Sequence, residues 1–235
     1  DLSDGNATVT QHATVNVDQY ANDLNFNINN NLSITGSGSY VGSDNAQSQA
    51  TYASGHDATV SMNQEAASGI SSITATGHDA GNVTVSNFDT SNVTLGDGGT
   101  STVTVNNATN GTIDTGNGND TININASHTA DNSNNRFDIH TGSGDDYINM
   151  IGNNDNSAVS FNIDAGSGND TIGLQGKYAN ADIHGGAGND AVTGSSQGND
   201  TYHFSAGQGN DTFNGAGGVG WADSIMIDAS APVLI

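Results

Sequence analysis

Apolar and polar residues alternate in short bursts along this chain. Val83-Thr84-Val85, Val93-Thr94-Leu95 and Val103-Thr104-Val105 are spaced by 10 residues, and Ile113 and Ile122-Asn123-Ile124 continue the beat. Alternation over three or four positions marks a half-buried strand. Gly, Asn and Asp fill the gaps and predict turns. Short strands with turns at a fixed period predict stacked coils. Thr84, Thr94 and Thr104 are expected to form a ladder on one face of the stack.

Beyond residue 113 the pattern becomes two strands per coil. Ile122-Asn123-Ile124 is followed by Phe137-Asp138-Ile139, Tyr147 to Met150 by Val159 to Ile163, and Thr171 to Leu174 by Ala181 to Ile183. Asp120, Asp146, Asp170 and Asp190 are separated by 26, 24 and 20 residues, and Asp190 and Asp211 by 21. A coil of two short strands and two turns takes about 20 residues. The longer intervals therefore predict insertions on one turn, such as Ser127 to Asn135. The loops at 114–120, 140–146, 164–170, 184–190 and 205–211 are expected to stack along one edge. Irregular turns at 125–135, 152–157 and 175–180 fall on the other edge, together with an exceptional loop at 194–200 whose partner runs from Gly218 to Asp223. Strand layers stack about 4.8 Å apart, so about seven coils would form a rod roughly 35 Å long.

The chain has 235 residues, of which 33% are hydrophobic. So little apolar material suits a disordered chain or a solenoid with a narrow core, and the regular Val and Ile positions select the solenoid. The expected fold class is all-β: a parallel β-roll or β-solenoid over 83–235, preceded by a less regular β-rich region over 1–82. That first region reads as further solenoid or as a cap. Its strands are expected at Thr8-Val9, Thr14 to Val17, Leu24 to Ile28 and Leu32 to Ile34.

The net charge is −23, with Arg136 and Lys177 the two basic residues. Nucleic acid is excluded as a partner, because nothing here neutralises phosphates. Such a carboxylate excess repels itself in a compact state unless cations intervene. There is no cysteine and hence no disulfide. No apolar run reaches the roughly 18 residues of a membrane span, so membrane insertion is not expected. Asp1-Leu2-Ser3-Asp4 does not read as a signal peptide.

Glycines and aspartates recur together. Gly116, Gly118 and Asp120 form one set, and Gly142, Gly144 and Asp146 the next. Gly166, Gly168 and Asp170, then Gly186, Gly188 and Asp190, repeat it. Looser copies lie at Gly198 and Asp200, at Gly207, Gly209 and Asp211, and around Asp223. Calcium takes six to eight oxygen ligands at about 2.3–2.6 Å. Carboxylates bring charge, and carbonyl oxygens bring the remainder where glycine lets the backbone turn sharply. One loop cannot fill that sphere, so each ion is expected between two neighbouring loops.

The motif resembles the RTX nonapeptide repeat, Gly-Gly-x-Gly-x-Asp-x-apolar-x, of secreted bacterial proteins. Gly185-Gly186-Ala187-Gly188-Asn189-Asp190-Ala191-Val192 keeps both leading glycines, whereas Thr115, Thr141, Ala165 and Ala206 replace the first. Ser196 replaces the second in the loop ending at Asp200. The motifs cover about 113–223. The resemblance implies a parallel β-roll, Ca2+ between coils, type I secretion and an extracellular or cell-surface location.

Other chemistries find less support. The histidines, including His140 and His184 before two loops, lack tight ligand spacing and are expected to be solvated turn residues. Glu65 is the only glutamate, and no nucleophile–base spacing stands out, so no catalytic role is expected. A threonine array could bind ice, but the family's ice-binding position holds Asn117, Ser143, Ser167, Ala187 and Gln208. Trp221 is expected to cap the last coil. The expected function is an extracellular calcium-binding structural protein that folds on calcium binding and self-associates into fibres or layers, as an S-layer, filament or adhesin segment does. A cell-surface glycan or another surface protein is a further candidate partner. The alternative is a calcium-dependent folding and export module of a larger secreted enzyme.

Overall fold

The computed structural model describes backbone and side chains over 82–86, 90–96, 99–126, 135–152, 159–176, 179–205, 207–217, 220 and 222–228. Between residues 6 and 76 it describes eight strands as backbone. These are β1 (Asn6–Val9), β2 (Ala13–Asn16), β3 (Asn25–Ile28), β4 (Leu32–Thr35), β5 (Ser39–Gly42), β6 (Gln49–Thr51), β7 (Ala58–Met62) and β8 (Ser72–Thr76). Then come β9 (Asn82–Ser86), β10 (Thr90–Thr94), β11 (Thr102–Ala108), β12 (Gly111–Asp114), β13 (Thr121–Ala126), β14 (Arg136–His140) and β15 (Tyr147–Ile151). The last are β16 (Val159–Asp164), β17 (Thr171–Gln175), β18 (Ala179–His184), β19 (Ala191–Thr193), β20 (Thr201–Ser205), β21 (Thr212–Asn214) and β22 (Ser224–Asp228).

The protein is an all-β parallel solenoid. Odd-numbered strands build an 11-stranded sheet from β1 to β21, and even-numbered strands build an 8-stranded sheet from β8 to β22. β2, β4 and β6 form a separate three-stranded sheet. The large sheet runs through residue 82 without a break, since β9 pairs with both β7 and β11. Among the described residues no helix is long and apolar enough to cross a membrane.

Strand alternation explains the core. Val83, Val103, Ile122, Ile148, Ile172 and Val192 stack in register on the inner face of the odd sheet. Val93, Ile113, Ile139, Ile163 and Ile183 do the same on the even sheet. All of these side chains are buried. Each such Val or Ile contributes about 1.5–3 kcal/mol by leaving water, so a strip a few residues wide suffices. Phe137 and Phe161 stack with ring centroids 5.7 Å apart, and Tyr202 and Phe213 stack at 5.6 Å near the C-terminal coils.

The ten-residue beat is half a coil, which corrects the expected threonine ladder. Thr84 pairs with Thr104 on the odd sheet, but Thr94 pairs with Asp114 on the even sheet. Two strands per coil therefore operate before residue 113 as well as after it. Residues 127–134 of the expected turn at 125–135, 153–157 of that at 152–157 and 177–178 of that at 175–180, and Trp221, lie outside the described residues.

Candidate metal centre

Every connection from the even sheet back to the odd sheet, from 114–120 through 205–211, carries a Gly-x-Gly-x-Asp sequence. These loops stack on one edge as expected. The residue between the two glycines bridges to its counterpart in the next coil, linking Asn117, Ser143, Ser167 and Ala187 in series. The glycines are required by conformation and by space. Gly166 and Gly168 have φ of 96° and 136°. A Cβ on Gly168 would lie 1.8 Å from the Gly144 carbonyl oxygen. Both glycines of the loops ending at Asp120, Asp146, Asp190 and Asp211 also adopt positive φ.

The aspartates form a buried column. Asp120, Asp146, Asp170 and Asp190 are each 1–2% exposed. One carboxylate oxygen of each is used within the protein. Asp146 Oδ1 accepts the Asp120 N–H at 2.7 Å, Asp170 Oδ1 that of Asp146 at 2.8 Å, and Asp190 Oδ1 that of Asp170 at 3.0 Å. Asp120 Oδ1 accepts from the Ser101 N–H at 2.6 Å, and Asp211 Oδ1 from Asp190 at 3.0 Å. The other oxygen, Oδ2, is buried without a hydrogen bond in Asp120, Asp146, Asp170 and Asp190. The Thr115 hydroxyl is near enough to Asp120 to lower its pKa somewhat, but it is not aligned to donate a hydrogen bond.

A buried, unpaired carboxylate oxygen costs several kcal/mol unless a proton or a cation meets it. Burial accordingly pushes the Asp170 pKa up to about 7 and that of Asp146 to about 6, with neighbouring aspartates adding repulsion. Asp120 and Asp190 are raised by the same desolvation. Four orphaned oxygens in adjacent coils, beside tightly turned glycine backbone, fit a hard divalent ion between layers.

The remaining sequence-predicted residues divide. Asp211 belongs to the column, but its Oδ2 accepts the Tyr202 hydroxyl at 2.8 Å. Asp200 lies on the opposite edge, in the 194–200 turn, and is fully buried. Its Oδ1 accepts the Ala181 N–H at 2.9 Å and its Oδ2 the Ser195 N–H at 2.7 Å. Gly198 is needed there for close approach to the Ala179 carbonyl rather than for a positive φ. Asp223 stacks under Asp200 and accepts its N–H at 3.0 Å. Asp200 thus has both carboxylate oxygens bonded by the protein, unlike the four in the column.

Two features escape the sequence reading. The column extends one coil further back, where Ser101 stands in register with Asp120 and Gly99 has φ of 132°. A second ladder runs alongside in the opposite direction. Asn119 accepts from the Asp145 N–H, Asp145 from Asn169, Asn169 from Asn189 and Asn189 from Asn210, at 2.7–3.0 Å. The recurrent Asn before Asp was its signal in the sequence. Comparison with known protein families, with curated proteins and with solved structures finds no match.

Proposed function

We propose that this chain is an extracellular, calcium-binding structural protein of a bacterial surface, of the RTX type, that folds on calcium binding and self-associates. The single observation carrying this reading is the column of four buried aspartates, each with an unpartnered Oδ2. Asp120, Asp146, Asp170 and Asp190 would hold the ions, with the glycine-turned backbone of adjoining loops around them. Bound calcium supplies the positive charge that lets buried carboxylates of successive coils stay ionised. The protein's own part is orientation. The Oδ1 ladder fixes each carboxylate so that Oδ2 is presented rather than left to rotate.

Coupling to folding follows from charge. At −23, the ion-free chain opposes its own compaction, whereas ligation in folded loops stabilises by mass action. Extracellular calcium, far above cytosolic levels, would then confine folding to the outside of the cell. Isothermal calorimetry with parallel circular dichroism tests this reading. Several calcium ions per chain and a calcium-dependent gain of strand signal are expected. A chain that is fully strand-rich in chelator and takes up no calcium would refute it.

Self-association has its own support. Among the described residues β22 is the outermost strand of the even sheet, and Ile225 continues the core column of Ile183 and Tyr202. Yet Ile225 is 56% and Ile227 44% exposed. An exposed strand edge with apolar core positions is a template for pairing with a second copy. Sedimentation velocity in calcium should show oligomers that Ile227→Lys reduces; monomers at all protein concentrations would refute this part.

A further inference from the structure

We infer that the outer face of the even sheet carries a second metal site, formed by Asp182, His184 and His203 and suited to a zinc-like transition ion rather than to calcium. It lies outside the glycine-loop column and depends only on the coil geometry.

β18 and β20 are adjacent parallel strands, with Asp182 paired to Thr201 and His184 to His203. Asp182 and His184 are two apart and therefore share a face. His203 joins that face from the next coil. The stack brings the His184 and His203 rings face to face, 4.1 Å between centroids and 13° from parallel. One donor atom from each of the three residues lies within 4.8 Å of the others. Asp182 Oδ1 is 2.5 Å from His203 Nε2 and 3.8 Å from His184 Nε2.

The His203 nitrogen carries most of the argument. Its Nε2 is buried and makes no hydrogen bond of acceptable alignment, despite that short distance to Asp182. At 2.5 Å a neutral nitrogen lone pair facing a carboxylate oxygen is repulsive; a proton on Nε2 relieves this as an ion pair, and a metal ion shared by the two groups relieves it once the side chains have moved apart. Donors sharing a four-coordinate zinc at about 2.0–2.2 Å stand roughly 3.3–3.5 Å apart. The present separations fall on either side of that value. Asp182 and His184 are about half exposed, at 57% and 48% of their side chains, so side-chain rotation brings the three donors onto one ion while the strands stay fixed.

Two imidazoles and one carboxylate select a borderline ion over calcium, which prefers oxygen ligands. Three protein ligands leave further positions to water. Asp182 also walls an open groove of about 240 Å³ with Arg136, Asn162, Asn180 and Asn199, so the ion has an approach from solvent.

The test is calorimetric titration of the full chain with zinc, in excess calcium and again without it, so that failure of the calcium reading is scored separately. Cobalt absorption serves as a second readout. One zinc per chain is expected at this site. His184→Gln and His203→Gln should each weaken it about tenfold or more. His140→Gln, two column positions away on β14 with Asp164 between, should leave it unchanged. Because His184 is half exposed, His184→Gln should keep the strand signal and decides the matter if His203→Gln fails to fold. Absence of zinc binding, or binding that survives both substitutions, overturns the proposal.

Discussion

Asp170 and Asp200 are near-twins in sequence and opposites in environment. Each sits in Gly-Asn-Asp-Thr, each is buried, and each carries a raised pKa, about 7 for Asp170 and about 6 for Asp200, chiefly through desolvation. Asp200 has both oxygens bonded by backbone N–H groups, from Ala181 and Ser195. Asp170 has only Oδ1 bonded, and Oδ2 is left bare. One carboxylate is satisfied by backbone N–H groups and the other is only half-satisfied. Motif identity therefore does not decide how completely the protein bonds a carboxylate; under the proposed calcium reading, the bare oxygen is the one that would meet an ion. On the 194–200 edge the turn donates its own N–H to Asp200. On the other edge no N–H group bonds Oδ2 of Asp120, Asp146, Asp170 or Asp190.

The harshest way to break this contrast is to remove the ion. A site held at a free calcium level a hundredfold above its dissociation constant contributes about 2.7 kcal/mol, so four sites contribute on the order of 10 kcal/mol. Whole domains are stable by only about 5–15 kcal/mol. Chelation should therefore abolish most of the strand signal in circular dichroism, and calcium should restore it. A fold that persists in chelator at neutral pH would mean that the bare Oδ2 atoms are tolerated and that the two aspartate types do not differ.

Acid should partly replace the ion. Asp146, Asp170 and Asp200 have folded-state pKa values of about 6, 7 and 6, against an ordinary carboxylate value near 3.9. These groups bind protons more tightly when folded. Their stabilising effect is complete below about pH 4 and is lost as pH rises through about 6–7. At about 1.4 kcal/mol per pKa unit, the ion-free protein should gain on the order of several kcal/mol between pH 8 and pH 5. Denaturant titrations in chelator at the two pH values measure this. In calcium the trend should reverse, since protons and ions compete for the same oxygens.

A pair of isosteric substitutions sharpens the contrast at single-residue level. Asp170→Asn should remove one calcium from the calorimetric count and cost about 2–3 kcal/mol in calcium. In chelator at pH 8 the same change should stabilise, because a neutral amide replaces an uncompensated buried charge. Asp200→Asn should leave the calcium count intact. It should cost about 1–3 kcal/mol with or without the ion, because the amide turns an N–H toward a backbone N–H. Equal behaviour of the two variants would erase the distinction.

The sequence made the coil period, the stacked edge and the aspartate column legible, because glycine pairs and aspartates recur at intervals close to one coil. The odd position of 194–200 was legible too, from its half-coil offset. Three things were not. Thr94 was placed with Thr84 and Thr104 because a ten-residue step keeps the strand pattern while switching sheets. The second N–H that meets the Asp200 carboxylate was hidden, because such donation leaves no trace in residue identity. The stacking of His203 on His184 was hidden, because the two residues lie in different coils. In a solenoid the neighbour of His184 stands a whole coil away, 19 residues on.

The smallest test examines what completes Asp200. Ser195 contributes twice to that turn. Its N–H bonds Asp200 Oδ2 at 2.7 Å, and its hydroxyl donates to the Ala179 carbonyl, also at 2.7 Å. Ser195→Ala keeps the first bond and deletes the second, leaving a buried carbonyl one donor short. The cost should be about 0.5–1.5 kcal/mol, the net worth of one such bond. If the protein alone finishes this edge, the loss should be the same at saturating calcium and at a level that only just sustains folding, and the ion count should not change. A loss that shrinks as calcium is raised would show metal reaching Asp200 once the turn loosens. The two edges would then differ in degree, with Ser195 holding the turn closed against an ion.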